Sequence, residues 1–455
     1  MSDQPSTRIH RVNRRQFLGR SAALAGAFSL PAIVPGSALG LAGAVAPSNR
    51  VAMGFIGLGI QGLGNMRTFR GNTDVQAVAV CDVHEGRRTA GKQIIDEFYE
   101  NKACAMHRDF RELMARKDID AVQITAPDHW HTLMIVEATR QKKHMYCEKP
   151  MGWSFRAAQA AHKAVKQSGV VFQFGTQQRS SGKFRQACEL VRNGKIGQLK
   201  TILVGVPGSW TCPKQPTEAV PKELDYDLWL GPAPMAPYSY QRCRPHTPKE
   251  GYSVWYCISD YCMGMIGNWG VHHLDIAQWG NGTDLGGPIE VEGKAEFPKD
   301  MLTDCCVSWQ VENRYANGVT MIHMDTPTAK KHPLQVPGHG SEGVTFLGTE
   351  GWVHVNRKAI DASSKALLKW KPGANDVQLF DSKNHHVNFV DSVKGSAKPA
   401  APIDVALRSD AMCHLQLAAV TLNRKLKWDP AKLSFVGDDE ANRLLDRPMR
   451  APWKI

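Results

Sequence analysis

Val51-Ala52-Met53-Gly54-Phe55-Ile56-Gly57-Leu58-Gly59-Ile60-Gln61-Gly62 is the stretch on which the reading of the chain turns. Val51–Ile56 is an apolar run of strand length, and Gly57–Gly62 reads G-x-G-x-x-G ahead of a helix-compatible segment, Leu63–Phe69. Gly57 permits the tight turn, Gly59 lets a pyrophosphate approach the backbone, and Gly62 lets helix and strand pack closely. Ile60 and Gln61 belong to the same turn, where a helix N-terminus offers free N–H groups to phosphates. A second apolar run, Val75–Val80, ends in Cys81-Asp82. Asp82 lies about 20 residues past Gly62, where a carboxylate accepts hydrogen bonds from an adenosine ribose. The pattern predicts a dinucleotide site at Gly57, Gly59, Ile60, Gln61, Gly62 and Asp82. Asp82 favours NAD, because a carboxylate repels a 2′-phosphate. Arg87 and Arg88 close by keep NADP open.

Outward from there, strands and helices alternate. Helices are predicted over Gly86–Glu100, Phe110–Ala115, Trp130–Gln141 and Phe155–Gln167, and strands over Ile119–Thr125, His144–Cys147 and Val170–Phe174. Such alternation argues for a doubly wound parallel sheet. Ligands on these sheets sit past the carboxyl ends of the strands. Asp128, His129, His131, Glu148 and Lys149 all follow strand ends, which places them on the cofactor side. Asp128 is also suited to cap the helix after it. From Gly175 the pattern changes. A helix, Phe184–Asn193, and a strand, Leu199–Val206, precede a Pro-, Tyr- and Trp-rich stretch over 207–262. Separate strand-like runs follow at Glu290–Phe297, Cys306–Glu312, Gly318–Met324, Gly343–Gly348 and Gly351–Val355. Turns such as Asn317-Gly318 make this sheet mostly antiparallel. Two helices, His385–Lys394 and Val405–Leu422, close the pattern, with His385 and His386 expected on the surface.

The chain has 455 residues, long enough for two or three domains. Residues 1–46 carry net +4 of the formal +13, which leaves a dispersed +9 on the rest. Without a basic stripe interleaved with aromatics, nucleic-acid binding is not expected. No run after the N-terminus is long and apolar enough to cross a bilayer. Eleven irregularly spaced cysteines fit neither a disulfide framework nor a zinc pattern, so no metal is expected. The N-terminus reads differently. Asn13-Arg14-Arg15-Gln16-Phe17-Leu18, then Ser21–Val34 and small residues up to Ala46, resembles a twin-arginine export signal. That route carries folded, cofactor-loaded proteins and implies a periplasmic or secreted product with its cofactor retained.

These marks together resemble the Gfo/Idh/MocA family, in its secreted bacterial branch. They are the glycine fingerprint, Ala126-Pro127-Asp128-His129-Trp130-His131, Cys147-Glu148-Lys149-Pro150, and Gly267-Asn268-Trp269-Gly270-Val271-His272-His273-Leu274-Asp275. The resemblance spans about residues 50–430. It implies an α/β architecture: a signal and linker over 1–46, a Rossmann NAD(P)-binding domain over 47–174, and a substrate-binding α/β domain over 175–455. The second domain has an open, mostly antiparallel sheet whose face commonly forms a homodimer or homotetramer contact. It implies NAD (or NADP) as cofactor and a small carbohydrate as substrate.

It also implies roles. Lys149 supports the reacting hydroxyl and His272 is the acid/base, while Asp128, His131, Glu148 and Lys149 contact the cofactor. Many relatives carry Asp four residues before the histidine; here Asn268 stands there as the third catalytic residue, suited to orient a substrate hydroxyl or the imidazole but unable to stabilise an imidazolium by charge. Asp275 is then expected to orient His272 from the same helix face. Trp153, Trp255, Trp269 and Trp279 are either core or a sugar-stacking floor. Three functions fit. One is an oxidoreductase acting on a sugar, cyclitol or glycoside. The second is a glycosidase that oxidises a ring hydroxyl, eliminates and re-reduces, with Tyr252, Tyr256 or His273 as second base. The third is a binding protein without turnover.

Overall fold

In the computed structural model, residues 49–244, 251–336 and 341–455 are described, and Val51–Ile455 forms one compact unit. The export-signal motif lies outside the described residues. The first sheet has six parallel strands: β1 (Val51–Ile56), β2 (Val75–Cys81), β3 (Ala105–His107), β4 (Ala121–Ile124), β5 (His144–Cys147) and β6 (Phe172–Phe174). Their order is β3-β2-β1-β4-β5-β6, so the order reverses between β1 and β4. That reversal opens a crevice at the strands' carboxyl ends. Helices α1 (Ile60–Arg70), α2 (Glu85–Tyr99), α3 (His131–Arg140) and α4 (Phe155–Ser168) make the crossovers. β1 reads as an apolar run and β4 is buried at every position, with Gln123 Nε2 donating to the Gly62 carbonyl at 3.0 Å, because both faces of a parallel sheet are covered.

A further helix, α5 (Gly182–Arg192), leads into the second sheet. Its strands are β7 (Leu199–Val206), β8 (Glu290–Glu296), β9 (Ser308–Arg314), β10 (Thr320–Asp325), β11 (Gly343–Gly348), β12 (Trp352–Val355), β13 (Ile360–Ala362), β14 (Leu426–Asp429) and β15 (Ser434–Phe435). The order is β13-β12-β11-β7-β10-β9-β8-β14-β15. Only the β7–β10 pair runs parallel among its ladders, so the expectation of a mostly antiparallel sheet holds. β8 alternates: Val291 is buried while Glu292, Lys294 and Glu296 are exposed, as a sheet with one wet face requires. Helices α6 (Gly270–Asn281), α7 (His385–Val393) and α8 (Ile403–Leu422) complete the set used below.

α8 joins the two halves. Ile403, Leu407, Met412, Leu415 and Val420 are buried on it, and each such side chain contributes about 1.5–3 kcal/mol. They share one continuous core with Ile56, Ile124 and Phe174 of the first sheet and Val206, Val311 and Phe346 of the second. Polar ties reinforce it. The Ala401 carbonyl accepts from Phe174 N–H at 2.9 Å, and Asp410 Oδ1 accepts from Met151 N–H at 2.9 Å, just past Lys149-Pro150.

Several imidazoles are buried with these cores. Burial pushes His129 and His323 down to about 4, and His273 and His385 down to about 3. In the unfolded chain each takes up a proton near pH 6.5. As pH falls below about 6.5, the unfolded state therefore binds more protons and stability drops, down to about pH 4 for His129 and His323 and about pH 3 for His273 and His385, where the folded rings charge. The expected cost is about 2 kcal/mol per ring at about pH 5. Thermal melts at about pH 7.5 and 5 check it: Tm must fall, and an unchanged Tm rules out neutral burial of these rings.

Candidate functional site

The β1–α1 turn builds the first wall. Gly57 has φ +81°, and a Cβ there would collide with the Thr125 carbonyl; at Gly62 it would collide with the Gly57 carbonyl. Those two glycines are required by the protein itself. At Gly59 a Cβ would meet no protein atom within 4 Å, so the protein's own packing does not require this glycine, and the residue lines a cavity. α1 starts at this point with no side-chain cap and no acidic residue in its first turn. Its free N–H groups and positive end suit a diphosphate. Asp82, at the end of β2, is pinned by Leu58 N–H at 2.8 Å and His84 N–H at 2.9 Å. A carboxylate with about four lone-pair sites still has capacity to accept from ribose hydroxyls. Gly59, Asp82 and Arg87 all line a cavity of about 710 Å³, and the residues present fit a dinucleotide.

Glu148 and Lys149 follow β5. Glu148 is buried, and its Oε1 accepts from Asn65 (2.9 Å), Gln177 (2.9 Å) and Gln61 (3.3 Å). Lys149 Nζ donates to Asn268 Oδ1 at 2.8 Å and to the Asn268 carbonyl at 3.0 Å. Asn268 precedes α6, which carries His272 on its first turn. Glu148, Lys149, Asn268 and His272 thus line the same cavity as the glycine turn, although Lys149 and Asn268 lie 119 residues apart in the chain. Burial lowers the proton affinity of Lys149, opposed by the carboxylates of Asp128 and Glu148. Burial, then the charges of Lys149 and Arg357, hold His272 well below its ordinary value. Its Nδ1 has no partner among the described residues. A Lys with one N–H to spare and a neutral imidazole can support and deprotonate a hydroxyl.

Asn268 does not orient the imidazole; it anchors the lysine. Its Nδ2 faces Asp128 Oδ2 at 3.5 Å, and burial raises the proton affinity of Asp128. An aspartate at 268 would set two carboxylates against each other. Other expectations are corrected. Asp128 does not cap the following helix: α3 starts behind Trp130 with no side-chain cap. Asp275 does not orient His272. It accepts from Arg179 at 2.7 Å and Ser409 at 2.6 Å in a fully buried pair, because that helix face meets α8. His129 does not line the cavity; its Nε2 faces the Trp229 carbonyl at 3.0 Å. His131 lines the cavity, yet its ring nitrogens face the Pro150 and Ala126 carbonyls at 2.6 and 2.8 Å. His273 is fully buried against Phe184 and Trp269, which removes it as a second base. His385 and His386 are not on the surface. His385 bonds the Phe174 carbonyl, while His386 lines the cavity, stacks on Tyr146 and meets Asn65 Oδ1 at 3.2 Å. The tryptophans divide: Trp153 and Trp279 are core, whereas Trp255 and Trp269 line the cavity.

The sequence left other cavity residues unmarked. Asn65 sits one turn after Gln61, and Gln177 and Gln178 follow the last parallel strand, so helical spacing and the strand-end rule could have found them. Arg357 comes from a hairpin turn with no local signal. Among the described residues no group of three or more His, Cys, Asp or Glu is placed to hold a metal ion, and no helix is long and apolar enough to cross a membrane.

Comparison with known proteins is in keeping with this geometry. A family model described as "Oxidoreductase family, NAD-binding Rossmann fold" (GFO_IDH_MocA) matches residues 51–176. Its companion, "Oxidoreductase family, C-terminal alpha/beta domain", matches 208–455. Inositol 2-dehydrogenase of Salmonella typhimurium is 28% identical over 185 residues, 39% of this chain and 53% of that protein. Alpha-N-acetylgalactosaminidase of Shewanella oneidensis is 30% identical over 158 residues, 31% of this chain and 34% of that protein. The chain thus spans about half or less of the length of these curated relatives. The crystal structure of scyllo-inositol dehydrogenase from Lactobacillus casei, with bound NAD(H) and scyllo-inositol, superposes with a TM-score of 0.56 at 16% identity, over 83% of this chain and 99% of that one. That likeness shows a shared fold.

Proposed function

Because the chain belongs to the Gfo/Idh/MocA oxidoreductase family, we propose that it moves a hydride between a tightly held nicotinamide dinucleotide and a hydroxyl-bearing carbon of a sugar, cyclitol or glycoside. The observation that carries this reading is the meeting of Lys149 and His272 in the cavity that also holds the glycine turn. When bound, the dinucleotide supplies the hydride acceptor. The chain's residues do the rest. The N-terminus of α1 holds phosphates, and Asp82 accepts from ribose hydroxyls. Glu148, fixed by three amides, shapes the reacting end. Lys149 spends two N–H groups on Asn268 and keeps one to donate to the substrate oxygen as it gains negative charge. His272, held neutral, takes the hydroxyl proton. Asp82 supports NAD over NADP, with Arg87 in the same cavity supporting the reverse.

The leader supports export through the twin-arginine route with the cofactor aboard, to act in the periplasm, and the open sheet face supports a homodimer or homotetramer. A second reading, the glycosidase, draws support from the likeness to the Shewanella oneidensis protein and from Tyr252 and Tyr256 in the cavity. Burial pushes the Tyr256 hydroxyl up, which makes it a poor base. One experiment separates the readings: incubate the purified protein with aryl glycosides and free sugars, without added acceptor. Keto-sugar with reduced cofactor supports the oxidoreductase. Aglycone release without net reduction supports the glycosidase. Neither outcome, with sugar still bound, leaves the non-catalytic binding protein.

A further inference from the structure

Arg357 is a cation at the reacting end that the proton chemistry does not use. It stands in the turn between β12 and β13 and lines the cavity with Lys149 and His272. Its guanidinium lies over the Trp269 indole, 4.4 Å from the ring centre. Gln178 fixes it from one side. In the amide orientation that satisfies both ends, Gln178 accepts from Arg357 Nε at 3.2 Å and donates to the His272 carbonyl at 2.9 Å. No carboxylate of the described residues pairs with Arg357 at salt-bridge distance, although Glu342 and Glu148 act on its charge from farther off. Of the other cavity arginines, Arg108 pairs with Asp225 at 3.3 Å and Arg244 donates to Gln241 and to the Tyr252 carbonyl, while Arg87 follows Asp82 on the first turn of α2.

The charge of Arg357, after burial, contributes to lowering the proton affinity of both Lys149 and His272, which places the guanidinium close to the reacting groups. With the guanidinium over the indole and Nε occupied by Gln178, the two terminal nitrogens form a planar fork, which matches a carboxylate in paired hydrogen bonds. One guanidinium balances one negative charge, so a monoanion fits better than a phosphate dianion. We propose that the substrate is a carboxylate-bearing sugar, a uronic acid or its glycoside, whose carboxylate is held by Arg357 on the Trp269 platform. This rests on the oxidoreductase reading of the same cavity and narrows its substrate class.

The test is calorimetric binding to the full-length protein carrying NAD. Methyl glucuronoside is compared with methyl glucoside, and methyl galacturonoside with methyl galactoside. At least one uronoside is expected to bind about 10- to 100-fold more tightly than its neutral partner, the worth of a hydrogen bond to a charged group. Arg357→Gln should erase that ratio, and Arg357→Lys should keep part of it. The assignment is overturned if neither uronoside is preferred, or if Arg357→Gln leaves a preference intact. The two readings fail separately. Selective uronoside binding without hydride transfer to or from any sugar sinks the oxidoreductase and spares Arg357. Turnover of neutral sugars with no preference does the opposite.

Discussion

Lys149→Met is expected to lower kcat by about 10³-fold, with the dinucleotide still bound. The lysine is fixed to Asn268 by two hydrogen bonds, so its remaining N–H is oriented before substrate arrives. Methionine keeps most of the volume and removes every donor. The loss falls on the step where charge develops on oxygen, so kcat drops while KM moves far less. The cofactor is held chiefly at the far end, by Gly59, α1 and Asp82. Mass spectrometry of the purified variant should therefore find it at wild-type occupancy. Activity within about tenfold of wild type on every substrate would remove Lys149 from the reaction.

Gly59→Val is expected to leave the fold intact and cut dinucleotide affinity by about 100-fold or more. A Cβ at 59 meets no protein atom within 4 Å, and the residue has φ −69°, an ordinary value for valine. The branched side chain would occupy the space above the α1 N-terminus that the pyrophosphate needs. Tm of the cofactor-free protein should match that of the cofactor-free wild type, and titration with NAD should show the loss. Gly62→Ala makes the contrast, because its methyl collides with the Gly57 carbonyl and destabilises the turn itself. Undiminished NAD binding by Gly59→Val would move the cofactor away from this turn.

What could be read in advance was what depends on local order. The strand Val51–Ile56, the helices over Phe110–Ala115 and His385–Val393, and the glycine turn each follow from short-range pattern, and their bounds fall close to expectation. The clustering of Glu148, Lys149 and His272 followed from strand-end topology and family likeness. What eluded the sequence depends on which face of an element meets another. Asp275 shares a helix face with His272 at i+3 spacing, yet α8 and Arg179 take it instead. His385 and His386 open a helix after a polar loop, a position that reads as wet until β6 and α1 pack against it. The role of Asn268 was hidden for the same reason: the neighbours that define it, Lys149 and Asp128, come from strand ends far back in the chain.

The interior that α8 shares with both sheets bears on how the molecule is divided. The break near residue 174 is a change in topology, not a seam in the hydrocarbon. Severed there, each piece would present a wet apolar wall, and neither could be treated as a self-sufficient module. The spacing between the Lys149 amine and the His272 imidazole is therefore set by the folding of the whole polypeptide.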